Sequence, residues 1–190
     1  RYPYFIIIKF IKKERKMAVV GLFYGSDTGN TENIAKMIQK QLGSELVDIR
    51  DIAKSSKEDI EAYDFLLFGI PTWYYGEAQA DWDDFFPTLE EIDFTDKLVG
   101  IFGCGDQEDY ADYFCDAIGT VRDIVEPRGA VVVGNWPTDG YNFEASKALL
   151  EDGTFIGLCI DEDRQPELTA ERVEKWCKQI YDEMCLAELA

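Results

Sequence analysis

The chain has 190 residues, 46% of them hydrophobic, which is enough for one sizeable core and gives no sign of a disordered class or a second domain. A formal charge of −19 argues against nucleic acid as a partner and for basic protein surfaces. With no histidine, the commonest general base, the Ser/His and Cys/His pairs and His-ligated metals are excluded; the five cysteines form no CxxC pair and read as reduced cytosolic thiols.

Residues 1–16 hold six basic residues, one acid and an apolar stretch from Tyr4 to Ile8. That stretch is too short for a signal peptide or for a membrane span of about 20 residues. The sequence reads 1–16 as a non-native or upstream extension outside the fold, with Met17 as the natural start and 17–190 as a single domain. A basic arm that touches membranes weakly is the rival reading.

From Met17 onward short apolar runs alternate with helical patterns. Ala18 to Tyr24 is predicted as a strand that breaks into Gly25-Ser26-Asp27-Thr28-Gly29-Asn30-Thr31. The hydroxyls of Ser26, Thr28 and Thr31, and the glycines that let the backbone turn, precede a helix start and so suit an anion. A nucleoside-triphosphate loop would carry Gly-Lys-Ser/Thr, whereas Asn30 and Thr31 stand there, so one terminal phosphate held by neutral donors fits better. The competing reading is an ordinary strand-to-helix turn rich in capping residues.

Ile34, Met37, Ile38 and Leu42 continue the helix, with Gly43 as its stop. A strand at Leu46 to Ile49 follows, then a brief helix opened by Ser55 and Glu58 as a capping box and ending near Tyr63. Phe65 to Ile70, closed by Pro71, reads as a fully buried strand. Trp82, Phe85, Phe86 and Leu89 predict a helix, Leu98 to Cys104 a fourth strand, and Phe114, Ile118, Val121 and Val125 a long helix ended by Pro127 and Gly129. A fifth strand starts at Val131 to Gly134 and resumes at Phe155 to Ile160, as though an insertion from Asn135 to Thr154 splits it. The last helix starts at Thr169 and aligns Val173, Trp176, Cys177 and Ile180. Such alternation predicts an α/β, doubly wound parallel sheet of five strands, with helices on both faces and a ligand beyond the carboxyl ends of the strands.

Two more loops leave that end: Pro71-Thr72-Trp73-Tyr74-Tyr75-Gly76 and Gly103-Cys104-Gly105-Asp106-Gln107-Glu108-Asp109-Tyr110. Aromatics beside glycines suit a planar ring that is sandwiched on its faces and bonded at its edges. Any one of these aromatics could fold back on the core; three such loops together favour a ring site.

On these motifs the chain from Met17 onward resembles the long-chain bacterial flavodoxins of the enterobacterial type. The resemblance implies the flavodoxin-like strand order 2-1-3-4-5, and the insertion is what separates the long-chain branch from the short-chain one; it assigns the insertion no clear catalytic role. It implies non-covalently bound FMN, with its phosphate on Ser26-Asp27-Thr28-Gly29-Asn30-Thr31. Trp73 and Tyr110 would flank the ring, and the backbone around Tyr74 to Gly76 and Gly105 to Gln107 would address its edge. Asp106 would lie near the pyrimidine side, and Thr72 and Asp163 would touch the ribityl chain. Pro71, Tyr75 and Cys104 belong to the same loops, and Cys104 reads as a small filler rather than a redox-sensitive thiol.

No catalytic residue and no metal site is expected. The resemblance implies a cytoplasmic, monomeric, low-potential one-electron carrier, fed by an NADPH-dependent flavodoxin/ferredoxin-NADP reductase. Its acceptors would be redox enzymes such as radical-enzyme activators, cobalamin-dependent methionine synthase or nitrogenase. One carboxylate about 10 Å from the ring contributes roughly 1.7 kcal/mol at an effective dielectric near 20, so several acids lower the potential of the last reduction step. Asp83, Asp84, Glu90, Glu91, Asp106, Glu108 and Asp109 are placed for this by sequence position. The alternative is an NAD(P)H-dependent FMN quinone reductase on the same fold, against which no second dinucleotide loop is found. A response-regulator receiver would need an acidic cluster after the first strand and a lysine after the fifth, where this chain has Gly25-Ser26-Asp27-Thr28 and Cys159-Ile160-Asp161. A flavin-binding protein without redox partners is the remaining reading.

Overall fold

A computed structural model describes residues 19–188. The expected extension at 1–16 lies outside the described residues. The strands are β1 (Val20–Tyr24), β2 (Val47–Asp51), β3 (Phe65–Gly69), the short β4 (Thr72–Trp73) and β5 (Glu77–Ala78), β6 (Leu98–Cys104), β7 (Val131–Val133) and β8 (Leu158–Ile160). The α-helices are α1 (Asn30–Leu42), α2 (Lys57–Glu61), α3 (Ala80–Leu89), α4 (Asp116–Val125) and α5 (Thr169–Glu183).

The main sheet runs β2-β1-β3-β6-β7, and every pair in it is parallel. β8 also pairs with β6: β7 takes Leu98 to Gly100, and β8 takes Phe102 to Cys104. The two short strands are thus the halves of one fifth strand, so the expected order and the split are both present. Parallel strands buried on both faces carry continuous apolar runs, and Val20, Leu22 and Phe23 of β1 and Leu66, Leu67 and Phe68 of β3 are fully buried. Right-handed crossovers that proceed in both directions from β1 place helices on the two faces. α1 packs beside α5, and α3 beside α4.

The cap of α2 differs from the expectation by one residue. Ser55 Oγ donates to the Asp51 carbonyl at 2.8 Å and closes the preceding 3-10 turn. Ser56 is therefore the cap: it accepts from Asp59 N–H at 3.3 Å, while Asp59 accepts from Ser56 N–H at 2.8 Å. The sequence also gave no hint of the hairpin between Pro71 and Gln79, where Thr72 pairs with Ala78 and Trp73 with Glu77. Its tip, Tyr74-Tyr75-Gly76, projects from the carboxyl end of β3.

Candidate functional site

β1 ends in a loop that is held in shape by its own hydrogen bonds. Ser26 Oγ accepts from Gly29 N–H at 3.0 Å, which fixes the turn. Gly29 is the N-cap of α1, with φ of 91° and no side chain to offer. The first backbone bond of the helix is Asn33 N–H to the Gly29 carbonyl at 2.9 Å, so the N–H groups of Asn30, Thr31 and Glu32 precede it and point outward at the positive end of the helix dipole. Behind the loop, buried Gln79 donates to Asp27 Oδ1 at 3.0 Å and accepts from Trp82 N–H at 3.4 Å as the cap of α3. A Cβ on Gly25 would lie 2.2 Å from Gln79 Oε1, so only glycine lets this clamp close.

The hairpin forms the second wall. Thr72 Oγ1 accepts from Ala117 N–H at 3.0 Å, which ties the hairpin to the start of α4. Tyr74 takes a left-handed φ of 43° and Gly76 one of 90°. A side chain on Gly76 would also meet Asp116 Oδ2 at 2.7 Å. Asp116 is buried, and that burial pushes its carboxyl above the usual range against the pull of Lys147. Tyr74 stands 5.9 Å from Trp73 and edge-on to Tyr110 at 6.4 Å. Trp73 Nε1 is buried with no hydrogen-bond partner among the described residues.

The third wall follows β6. Burial opposes the charge on Asp106, but paired bonds from Arg164 at 3.1 and 3.0 Å and the N–H groups of Glu108 and Asp109 outweigh it and hold the carboxyl below the usual range. Arg164 also reaches Glu108 at 3.4 Å and Asp109 at 2.7 Å. Asp163 is pushed upward, first by burial and then by the neighbouring Asp106. Cys104 accepts from Thr31 Oγ1 at 3.6 Å, and burial drives its thiol well above the ordinary value, which is the setting of an inert filler.

These walls enclose a cleft of about 240 Å³. Of the residues anticipated for the site, Ser26, Asp27, Thr28, Asn30, Thr31, Pro71, Thr72, Trp73, Tyr74, Cys104, Gly105, Asp106, Tyr110 and Asp163 line it. Gly29, Tyr75, Gly76 and Gln107 do not. Gly29 shapes the turn. Tyr75 is 71% exposed outside the cleft and lies edge-on to Tyr110 and Tyr113. Gln107 turns its side chain away, and its N–H goes to Asp161 Oδ2 at 3.0 Å. Glu162 lines the cleft and was not anticipated. Gln79 and Arg164 were missed because each acts through a residue far away in sequence. Glu90 and Glu91, expected near the ring, end α3 at the opposite end of the sheet, where their carbonyls accept from Arg128 and Lys57.

Among the described residues that line the cleft there is no lysine or arginine, and none of the described side chains cluster as a metal site. A planar ring bearing one terminal phosphate fits what is present. Uncapped N–H groups at α1 suit the phosphate, aromatic faces suit the ring, and the unpaired Trp73 indole N–H marks a donor still to be satisfied.

The sequence profile of a family described as Flavodoxin matches residues 22–176. The chain is 95% identical over 174 residues to a flavodoxin of Haemophilus influenzae, covering 92% of this chain and 100% of that protein. It is 76% identical over 173 residues to flavodoxin 1 of Escherichia coli, covering 91% of this chain and 98% of that one. Among solved structures it is similar to a Fusobacterium nucleatum flavodoxin bound to flavin mononucleotide, with a TM-score of 0.82 and 39% identity over 88% of this chain and 99% of that chain.

Proposed function

The chain belongs to the flavodoxin family and is an FMN-binding electron carrier rather than an enzyme, and from that premise we propose how its cleft holds the cofactor and which proteins it serves. FMN supplies chemistry that accepts and releases electrons one at a time. The observation that carries the assignment of the site is that the uncapped start of α1 and the aromatic hairpin face the same cleft.

In this reading the Ser26 and Thr28 hydroxyls and the N–H groups of Asn30 and Thr31 hold the phosphate. Asp27 stays out of its way because Gln79 draws it back. Trp73 and Tyr110 present faces to the ring, and the backbone at Tyr74 and Gly105 borders it. Asp163 and Glu162 border the polar chain between ring and phosphate. Asp106, ionised beside Arg164, supplies fixed negative charge near the ring and disfavours added electrons, which makes the carrier low in potential. Arg164 offsets part of that charge, so Asp163 and Glu162 weigh more than sequence position suggested.

Electron transfer needs redox partners. The donor is an NADPH-dependent flavodoxin reductase, and the acceptors are enzymes such as radical-enzyme activators, cobalamin-dependent methionine synthase or nitrogenase. The strongly acidic chain supports docking on their basic faces. A cytoplasmic setting, where thiols stay reduced, agrees with the five free cysteines. Among the described residues no helix is long and apolar enough to cross a membrane.

The test is reconstitution of the apoprotein with FMN, followed by anaerobic addition of NADPH with and without a flavodoxin reductase. One FMN per chain, reduced only when the reductase is present, is the expected result. Failure to bind FMN, or direct bleaching by NADPH alone, would overturn the reading.

A further inference from the structure

β8 runs out into a turn whose first residue is a buried carboxylate. Asp161 directly follows Ile160 and is 0% exposed. It does not line the cleft, although its sequence neighbours Glu162 and Asp163 do, as do Gly105 and Asp106 on the loop beside it. Asp161 Oδ1 accepts the N–H groups of Asp163 and Arg164 at 3.1 and 2.9 Å, and the Asp161 carbonyl accepts that of Gln165 at 3.0 Å. These three bonds wind the chain into the turn. Glu162 pins it from the other side by accepting from the Thr169 hydroxyl at the start of α5.

The second oxygen works between two loops. Strand pairing of β6 with β8 stops at Cys104 and Ile160, and one further bond follows, from Gly105 N–H to the Ile160 carbonyl at 3.0 Å. Beyond that point Asp161 Oδ2 accepts Gln107 N–H at 3.0 Å. A side chain thus carries the ladder past the end of the backbone pairing. The Arg164 guanidinium is engaged by Asp106, Glu108 and Asp109, and among the described residues no lysine or arginine forms an ion pair with Asp161. Three neutral N–H groups hold it instead. A buried carboxylate is costly to leave without such donors, so its bonds fix the geometry around it. Its charge is felt next to the cleft: Asp163 is pushed upward first by burial, then by Asp106 and Asp161.

We propose that Asp161 is a positioning residue for electron transfer. Without touching the ring, one oxygen shapes the turn that presents Glu162 and Asp163 to the cleft, and the other joins that turn to the loop of Asp106. Its charge, unanswered by a cation, opposes full reduction of the ring from behind the wall. The inference rests on the reading of the cleft as an FMN site.

The full chain is titrated as apoprotein with FMN and with riboflavin, which has the ring but not the phosphate, and the potential of bound FMN is read anaerobically against a redox dye. Asp161→Asn keeps one oxygen for the Asp163 and Arg164 N–H groups but turns an NH2 toward Gln107 N–H, so it spares the turn and breaks the tie between loops. It is expected to weaken FMN and riboflavin alike by about tenfold, the order of one buried hydrogen bond, and to shift the last reduction step upward. Asp161→Ala, which loses the turn as well, is expected to weaken both ligands further. Asp152→Asn, at the exposed turn capped on Thr154 N–H, removes the same charge elsewhere and is expected to move neither quantity. Unchanged affinity in Asp161→Asn, a fall for FMN alone, an unmoved or lowered potential, or an equal upward shift in Asp152→Asn would overturn the proposal. Should the Asp161 variants fail to fold, amide exchange of the wild-type chain decides: Gln107 and Arg164 N–H should gain protection together when FMN binds, and protection of one without the other would overturn it. A wild-type chain that binds neither ligand would refute the FMN reading itself and is a distinguishable result.

Discussion

Gln79 joins three parts of the molecule through one amide. Its Nε2 holds Asp27 and Asp81, at 3.0 and 2.7 Å, and its Oε1 caps α3 at Trp82 N–H. Replacing it by leucine leaves the Asp27 carboxylate free to swing toward the proposed phosphate position and leaves the Trp82 N–H without its cap. Gln79→Leu should weaken FMN more than riboflavin, and should cost about 1–3 kcal/mol in urea unfolding of the apoprotein. Arg164 gives a pH signature. Asp106 is held below the usual carboxylate value, so it adds stability above the unfolded value of about 3.9, and this is lost as pH falls through the folded value. Arg164→Gln should therefore destabilise the protein at neutral pH, with the gap to wild type closing in acid, as followed by thermal unfolding from pH 7 to pH 3. Gln79 was not legible as a clamp in the sequence. It is a neutral amide whose role depends on a partner 52 residues away, and no local spacing signals that. The loop from Ser26 to Thr31 was legible as a wall of the cleft because its hydroxyls, its glycines and the helix it opens are contiguous.

At the scale of elements, long periodic segments declared themselves and short ones did not. β6 spans the seven residues anticipated, Leu98–Cys104, because a continuous apolar run has one reading in a parallel sheet. The hairpin of β4 and β5 has two residues per strand, too few for any alternation to register. The α2 cap shows a different ambiguity. Ser55 and Ser56 each precede an acid by three residues, and the choice falls to the preceding 3-10 turn, which takes up the Ser55 hydroxyl. Ser56→Ala should thus cost about 1 kcal/mol in denaturant unfolding, the ordinary value of an N-cap, and Ser55→Ala less. A larger loss at Ser55 would return the cap to that residue.

Across the whole molecule, charge and fold act separately. The fold is set by the buried sheet, whereas the charge of −19 acts on encounter with other proteins. Its field is screened over about 8 Å at physiological ionic strength. The bimolecular rate of reduction by a flavodoxin reductase should therefore fall steadily as salt is raised from 20 to about 500 mM, measured by stopped flow, with the bound-flavin affinity for riboflavin far less affected. A rate that does not change with salt would remove steering from the account.

The halves of the fifth strand lie end to end along one neighbour, β7 on Leu98 to Gly100 and β8 on Phe102 to Cys104. Each half is therefore secured by β6 independently of the peptide that joins them. The carboxyl half continues into α5, whose Trp176 indole donates to the Gly134 carbonyl at the end of β7, at 2.8 Å. The molecule is accordingly built as two complementary pieces with a seam through the exposed insertion. A chain nicked by a protease near Glu151 and Asp152 should remain assembled, and two separately made fragments meeting at that seam should reconstitute the fold by strand addition.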